Sequence, residues 1–280
     1  MIRDVLVHIP TERPLRPVVD ASISLARSFR AHLDAIATGY IRSSAAYVAD
    51  GGAAATVAAV FEMEQKRAAE RSAAALAVFE AEARNAGIAY QCRSLQYFPA
   101  EAASAIGAAA RLYDLAVVLQ PDTALETFDN TTSTEIMLQA GGPVLLVPHI
   151  FRGAFNARRI GICWDGSRLA ARALRDAKPF LSRADALVVI SINETQIAPA
   201  EASAQKLLQH LGRSELSTRL IELTAERSEI QPSILSLAAD ESLDMLIMGA
   251  YGHSRLQEGL LGGVTREMLK TMTVPTLMSH

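Results

Sequence analysis

The stretch GAYGHSRLQEGLLGGVTREM, residues 249–268, places five glycines within fifteen positions, Gly249, Gly252, Gly259, Gly262 and Gly263, out of sixteen in the chain. Glycine admits positive φ and lets a ligand come close to main-chain N–H groups. An apolar run, DMLIMGA (244–250), precedes the cluster, and a helical pattern over 262–272 follows it. Strand, glycine-bordered loop and helix start, in that order, present free N–H groups and the positive end of a helix dipole, which attract phosphate. On spacing alone, a phosphate cradle and an ordinary loop with a turn at each end weigh evenly. Neither G-x-x-x-x-G-K-[ST] nor G-x-G-x-x-G occurs, so the common phosphate-loop and dinucleotide fingerprints do not apply.

Other chemistry is sparse. Cys92 and Cys163 lie far apart in alternating apolar runs, which predicts two buried, reduced thiols. The six histidines show no H-x-x-x-H spacing, so no metal site is expected. A net charge of −3, from 27 basic and 30 acidic residues, leaves no electrostatic footprint for nucleic acid. No apolar run reaches the ~18 residues of a membrane span. The opening MIRDVLVHIPTERP reads as a strand rather than a signal peptide, and the two reduced thiols fit a cytoplasmic protein.

The elements that must position the glycine cluster alternate between strand and helix. The first half reads as strands at 4–9, 32–40, 88–98, 114–120 and 143–149, with helices at 16–31, 56–86, 99–112 and 131–140. The second half repeats the order, with strands at 158–165, 185–192, 215–223, 244–250 and 274–280 and helices at 167–183, 199–212, 229–241 and 262–272. GPVLLVPH corresponds to TVPTLMSH, and YDLAVVL to LDMLIMG. The pattern predicts an internal duplication with halves 1–150 and 151–280. Apolar strands alternating with helices predict an α/β fold with parallel strands covered on both faces. Five strands per half in the doubly wound order 3-2-1-4-5 leave a crevice between strands 1 and 4 at their carboxyl ends, where ligands bind. The apolar closing strands are expected to pair with each other or with another chain rather than stay as open edges.

The segment GAYGHSRLQEGLLGGVT resembles the nucleotide-binding motif of the universal stress protein family: Gly, two residues, Gly, nine residues, Gly, then Ser or Thr. Gly249, Gly252 and Gly262 keep that spacing, and Gly263 stands where the family usually has a hydroxyl. WDGS (164–167) is similar to the family's aspartate after strand 1, and the duplication resembles its two-domain members. The resemblance implies an adenine nucleotide alpha-hydrolase-like fold and binding of ATP or a related adenine nucleotide, with or without Mg²⁺. It implies roles by position. Asp165 faces the adenine or ribose, and Ile192 lines the adenine pocket. Met248, Gly249 and Gly252 flank the ribose and phosphates. Gly262, Gly263, Val264 and Thr265 offer N–H groups, Thr265 also a hydroxyl. Loss of the hydroxyl at 263 removes a hydrogen bond to a charged group, worth about 1.5–3 kcal/mol.

The matching segment of the first half, LQPDTALETFDNTTSTEIM (119–137), lacks glycine. Leu119, Asp122 and Asn130 take the places of Gly249, Gly252 and Gly262, and Asp122, Glu126 and Asp129 are expected to repel phosphate. NTTST (130–134) is expected to cap a helix. The first half is therefore predicted to hold no nucleotide. Three functions fit the sequence: a nucleotide-binding regulatory protein of stress response; a scaffold that dimerises through its closing strands, as an internal pseudo-dimer or a homodimer, and binds nothing; and a slow ATPase. The absence of a phosphate-loop lysine weighs against the last, and no catalytic residue is assigned.

Overall fold

The computed structural model describes residues 1–42, 54–193, 198–214, 216–250 and 263–280. The first half runs β1 (Asp4–Ile9), α1 (Arg16–Phe29), β2 (His32–Tyr40), α2 (Ala54–Ala86), β3 (Tyr90–Tyr97), α3 (Pro99–Ala110), β4 (Leu115–Leu119), α4 (Phe128–Gln139) and β5 (Val144–Val147). The second runs β6 (Arg159–Cys163), α5 (Arg168–Asp176), α6 (Lys178–Leu181), β7 (Ala186–Ile192), α7 (Ala204–Leu211), β8 (Ser217–Leu223), α8 (Ile230–Asp240), β9 (Met245–Gly249), α9 (Gly263–Thr271) and β10 (Thr276–Ser279).

The ten strands form one sheet in the order β3-β2-β1-β4-β5-β10-β9-β6-β7-β8. Each half has the doubly wound order 3-2-1-4-5 with parallel neighbours, and the halves join where β5 and β10 pair antiparallel, Thr276 opposite Leu146 and Met278 opposite Val144. The closing strands thus pair with each other within the chain, and each has strands on both sides. Alternate residues point to opposite faces. Val5, Val7, Ile160 and Ile162 pack on one face beneath α1, α2, α5, α6 and α7, while Leu6, Val118, Leu246 and Met248 pack on the other beneath α3, α4, α8 and α9. Both apolar layers run across the two halves.

Several sequence expectations are corrected here. The outer strands are not covered on both faces: most of β3 and much of β8 are exposed, because each is an edge of the sheet. Cys92 lies on β3 and is exposed, so it is not a buried thiol. The helix expected over 167–183 breaks at Ala177, since Pro179 has no N–H and its ring crowds the preceding turn. The helix expected over 199–212 becomes a 3₁₀ turn, Ala200–Ala202, followed by α7, because Ser203 is extended and accepts a cap hydrogen bond from Lys206 N–H.

Candidate functional site

The carboxyl ends of β6, β7 and β9 meet at the switch point of the second half. Cys163 lies beside Ile190 and Ile162 beside Ile247, so Asp165, Ile192 and Gly249 come at one end of three neighbouring strands. β6 closes into a tight turn. Gly166 has φ +70°, Asp165 Oδ1 accepts from Ser167 N–H at 2.9 Å, and Ser167 Oγ accepts from Ala170 N–H at 3.1 Å, which starts α5. Asp165 is exposed, and among the described residues only one of its carboxylate oxygens accepts a hydrogen bond. Trp164 is buried beside it and its Nε1–H donates to Ala202 O at 2.8 Å. Burial pushes the Cys163 thiol up to about 12, the Asp165 carboxylate adding to the rise, so this thiol is inert at neutral pH.

Ile192 and Met248 are buried in the layer that α9 covers through Met268 and Leu269. Gly249 has a different reason for being glycine from the one the sequence gives. A Cβ there would lie 2.7 Å from Ala170 N and 2.7 Å from Leu169 C, so the end of β9 packs directly on the first turn of α5. Gly252 and Gly262, with Gly259, Tyr251, His253 and Arg255, lie outside the described residues. Gly263 is the first residue of α9 and is exposed, and no atom of the described residues lies within 4 Å of where a Cβ would stand. Val264 is half-buried against the α8–α9 layer, and Thr265 is buried. The first N–H groups of a helix have no partner within it. The start of α9 therefore brings donors to the same end of the sheet as Asp165, Ile192 and Met248.

The sequence misses two residues that border this crevice. Ser191 Oγ donates to Trp164 O at 3.1 Å, and Asn193, at φ 59°, donates from Nδ2 to Ala225 O and accepts from Ala225 N–H. They lock the exits of β6, β7 and β8 together, and their partners lie too far along the chain for spacing to reveal them. Among the described residues no group of His, Cys, Asp and Glu could hold a metal ion, and no helix is long and apolar enough to cross a membrane.

The equivalent end of the first half is filled by the chain itself. α4 begins at Phe128, with residues 130–134 inside it, so NTTST does not cap it. Glu12 Oε2, from the loop after β1, accepts the Phe128 N–H at 2.9 Å. Asp129 is 1% exposed; its Oδ2 accepts from Thr11 N–H at 3.1 Å and Glu12 N–H at 2.8 Å, and its Oδ1 from Tyr40 Oη at 2.9 Å. Arg13 donates to Asn130 Oδ1 at 2.8 Å and to Gln120 O at 2.6 Å. Two protein carboxylates and an arginine thus hold the loop after β1 against the start of α4. Burial pushes the Asp129 carboxyl up to about 6 in spite of its donors. Burial, with Arg13 close by, lowers His8 to about 4 and keeps its ring neutral.

Comparison with known proteins follows this geometry. Residues 156–280 match the model of the universal stress protein family. The likeness to the universal stress protein family therefore lies in the second half of the chain. A universal stress protein of Synechocystis is 26% identical over 140 residues, which is 48% of this chain and 46% of that protein. One of Methanocaldococcus jannaschii is 42% identical over 45 residues, 16% of this chain and 28% of that protein. The matched part spans less than half the length of either relative. The crystal structure of a universal stress protein from Archaeoglobus fulgidus superimposes with a TM-score of 0.72 at 14% identity, covering 98% of this chain and 97% of that one. The likeness extends the fold over both halves.

Proposed function

We propose that the protein binds ATP or a related adenine nucleotide in the crevice of its second half, and acts in stress response as a nucleotide-dependent regulatory protein. The match of residues 156–280 to the universal stress protein family supports the stress-response role. The observation that carries the nucleotide reading is the convergence, at one end of the sheet, of exposed Asp165, the apolar pair Ile192 and Met248, and the start of α9. A carboxylate can accept from ribose or adenine, the apolar pair can take an adenine face, and the helix start can take phosphate. Gly252 and Gly262 complete the phosphate side in this reading.

The two halves are proposed as domains 1–150 and 151–280 with different tasks. In the first, Glu12 already occupies the start of α4 and Asp129 already takes the N–H groups of Thr11 and Glu12. A phosphate brought there would meet two carboxylates instead of free donors. The first domain is therefore a structural partner of the second. The closing strands β5 and β10 pair with each other within the chain, as an internal pseudo-dimer would, and neither offers an open edge to a second chain.

Calorimetric titration of the whole chain with ATP tests the reading. Asp165→Ala removes an adenosine contact, and at least tenfold weaker binding is expected. No heat of binding in the parent chain at millimolar ATP, with and without Mg²⁺, would discard it.

A further inference from the structure

A cleft of about 1350 Å³ opens on the opposite side of the molecule from the crevice ends, at the amino ends of β1 and β2 and at the junction of the two halves. Its lining includes Arg3, Arg27, Arg30, Arg158 and Arg183, with no aspartate or glutamate, in a chain where acidic residues outnumber basic ones 30 to 27. Charge has been gathered here against the average of the sequence. A helix C-terminus accounts for a cation in its last turn, and Arg27 ends α1 in that way. It does not account for Arg3, which comes from the residues leading into β1, or for Arg158 and Arg183, which come from the second half.

The five guanidiniums divide into two sets. Arg158 pairs with Asp185 at 2.7 Å, and Arg183 donates to Ser28 O at 2.6 Å while its guanidinium carbon stands 4.1 Å from the centre of the Phe29 ring. Arg183 fastens the halves to each other, whereas Arg158 pairs within the second half. Arg3, Arg27 and Arg30 are exposed, and their side chains have no ion-pair or hydrogen-bond partner among the described residues. Arg30 also holds a left-handed backbone, φ 54°, at the end of α1, a position that favours glycine. That backbone closes α1, with Ala31 N–H donating to Ala26 O at 2.9 Å, and sets Arg30 on the rim of the cleft.

The nature of the ligand follows from what the lining exposes. Its large apolar residues Ile2, Phe155 and Phe180 are buried in the core. The exposed arginines of the lining offer guanidiniums, whose planar fork of N–H donors matches carboxylate and phosphate oxygens. We infer that this cleft is a second ligand site, taking a small, multiply charged oxyanion, a polyphosphate or a polycarboxylate, on Arg3, Arg27 and Arg30. The site is independent of the nucleotide crevice, and its three arginines come from the first half.

The test is calorimetry on the full chain at low ionic strength with inorganic tripolyphosphate in one arm and citrate in the other. The double variant Arg27→Ala/Arg30→Gly removes two guanidiniums, and glycine suits the left-handed backbone at 30, so its melting temperature should match the parent's. At least tenfold weaker binding of the anion is expected in the double variant, with ATP affinity unchanged. Asp165→Ala should keep the anion affinity, which separates this site from the crevice. Tighter binding of tripolyphosphate than citrate assigns phosphate as the natural chemistry, and the reverse order assigns carboxylate. Failure of the parent chain to bind either anion at millimolar concentration, or binding unchanged in the double variant, would overturn the inference.

Discussion

Gly263 is the residue at which this chain departs from the family pattern, and its surroundings make the departure testable. It opens α9, and no atom of the described residues lies within 4 Å of where a Cβ would stand, so serine fits against them. Gly263→Ser supplies a hydroxyl to phosphate and should tighten ATP binding roughly 5- to 30-fold, the worth of one charge-assisted hydrogen bond. Equal affinity in the two chains, measured by calorimetry, would place the phosphates elsewhere. A second residue-scale prediction concerns the buried pair in the first half. Asp129 is raised from 3.8 to about 6, so its contribution to stability is full below pH ~4 and is lost as pH rises through about 6. His8 is lowered from 6.5 to about 4, so its contribution is full above pH ~6.5 and is lost as pH falls through about 4. The two oppose each other over the same window and nearly cancel. Asp129→Asn leaves an acceptor for the Thr11 and Glu12 N–H groups but removes one titration. The variant should lose about 2 kcal/mol more stability than the parent between pH 7 and 4.5. Urea denaturation at the two pH values measures it, and parallel slopes would contradict it.

At the scale of elements, strand and helix order was legible because period-2 and period-3.6 patterns survive in each segment. β1 and β2 have the bounds their apolar runs predict, 4–9 and 32–40. What the sequence hid was long-range. Glu12 caps α4 across 116 residues, and nothing in NTTST reveals that its threonines lie inside the helix. Cys92 was misjudged because an apolar alternation does not say which strand ends at the sheet's edge. The candidate site was legible at Asp165 and in the glycine spacing, yet Gly249 proved to be a packing glycine as well. Its Cβ would meet the backbone of Leu169 and Ala170, which cannot move without shifting α5. Gly249→Ala should therefore cost about 1–3 kcal/mol, as overpacking does. A melting temperature equal to the parent's would show that α5 gives way freely.

For the whole molecule, the joint is the antiparallel pair β5–β10, buried on both sides by apolar layers that cross between the halves. Central strands open only with global unfolding, so the amides of Val144–Val147 and Thr276–Ser279 should exchange with solvent among the slowest in the chain. Fast exchange there, beside slow exchange in β1 and β6, would mean two halves that separate. Within that frame the halves differ: one crevice is closed by its own carboxylates, and the other is the proposed nucleotide site. Photolabelling with 8-azido-ATP, followed by peptide mapping, tests this division most directly. Labelling is expected on second-half peptides around Ile192 and Met248, suppressed by ATP but not by tripolyphosphate. Label concentrated on first-half peptides around Tyr40 and Gln120, or absence of ATP-suppressible label anywhere, would contradict it.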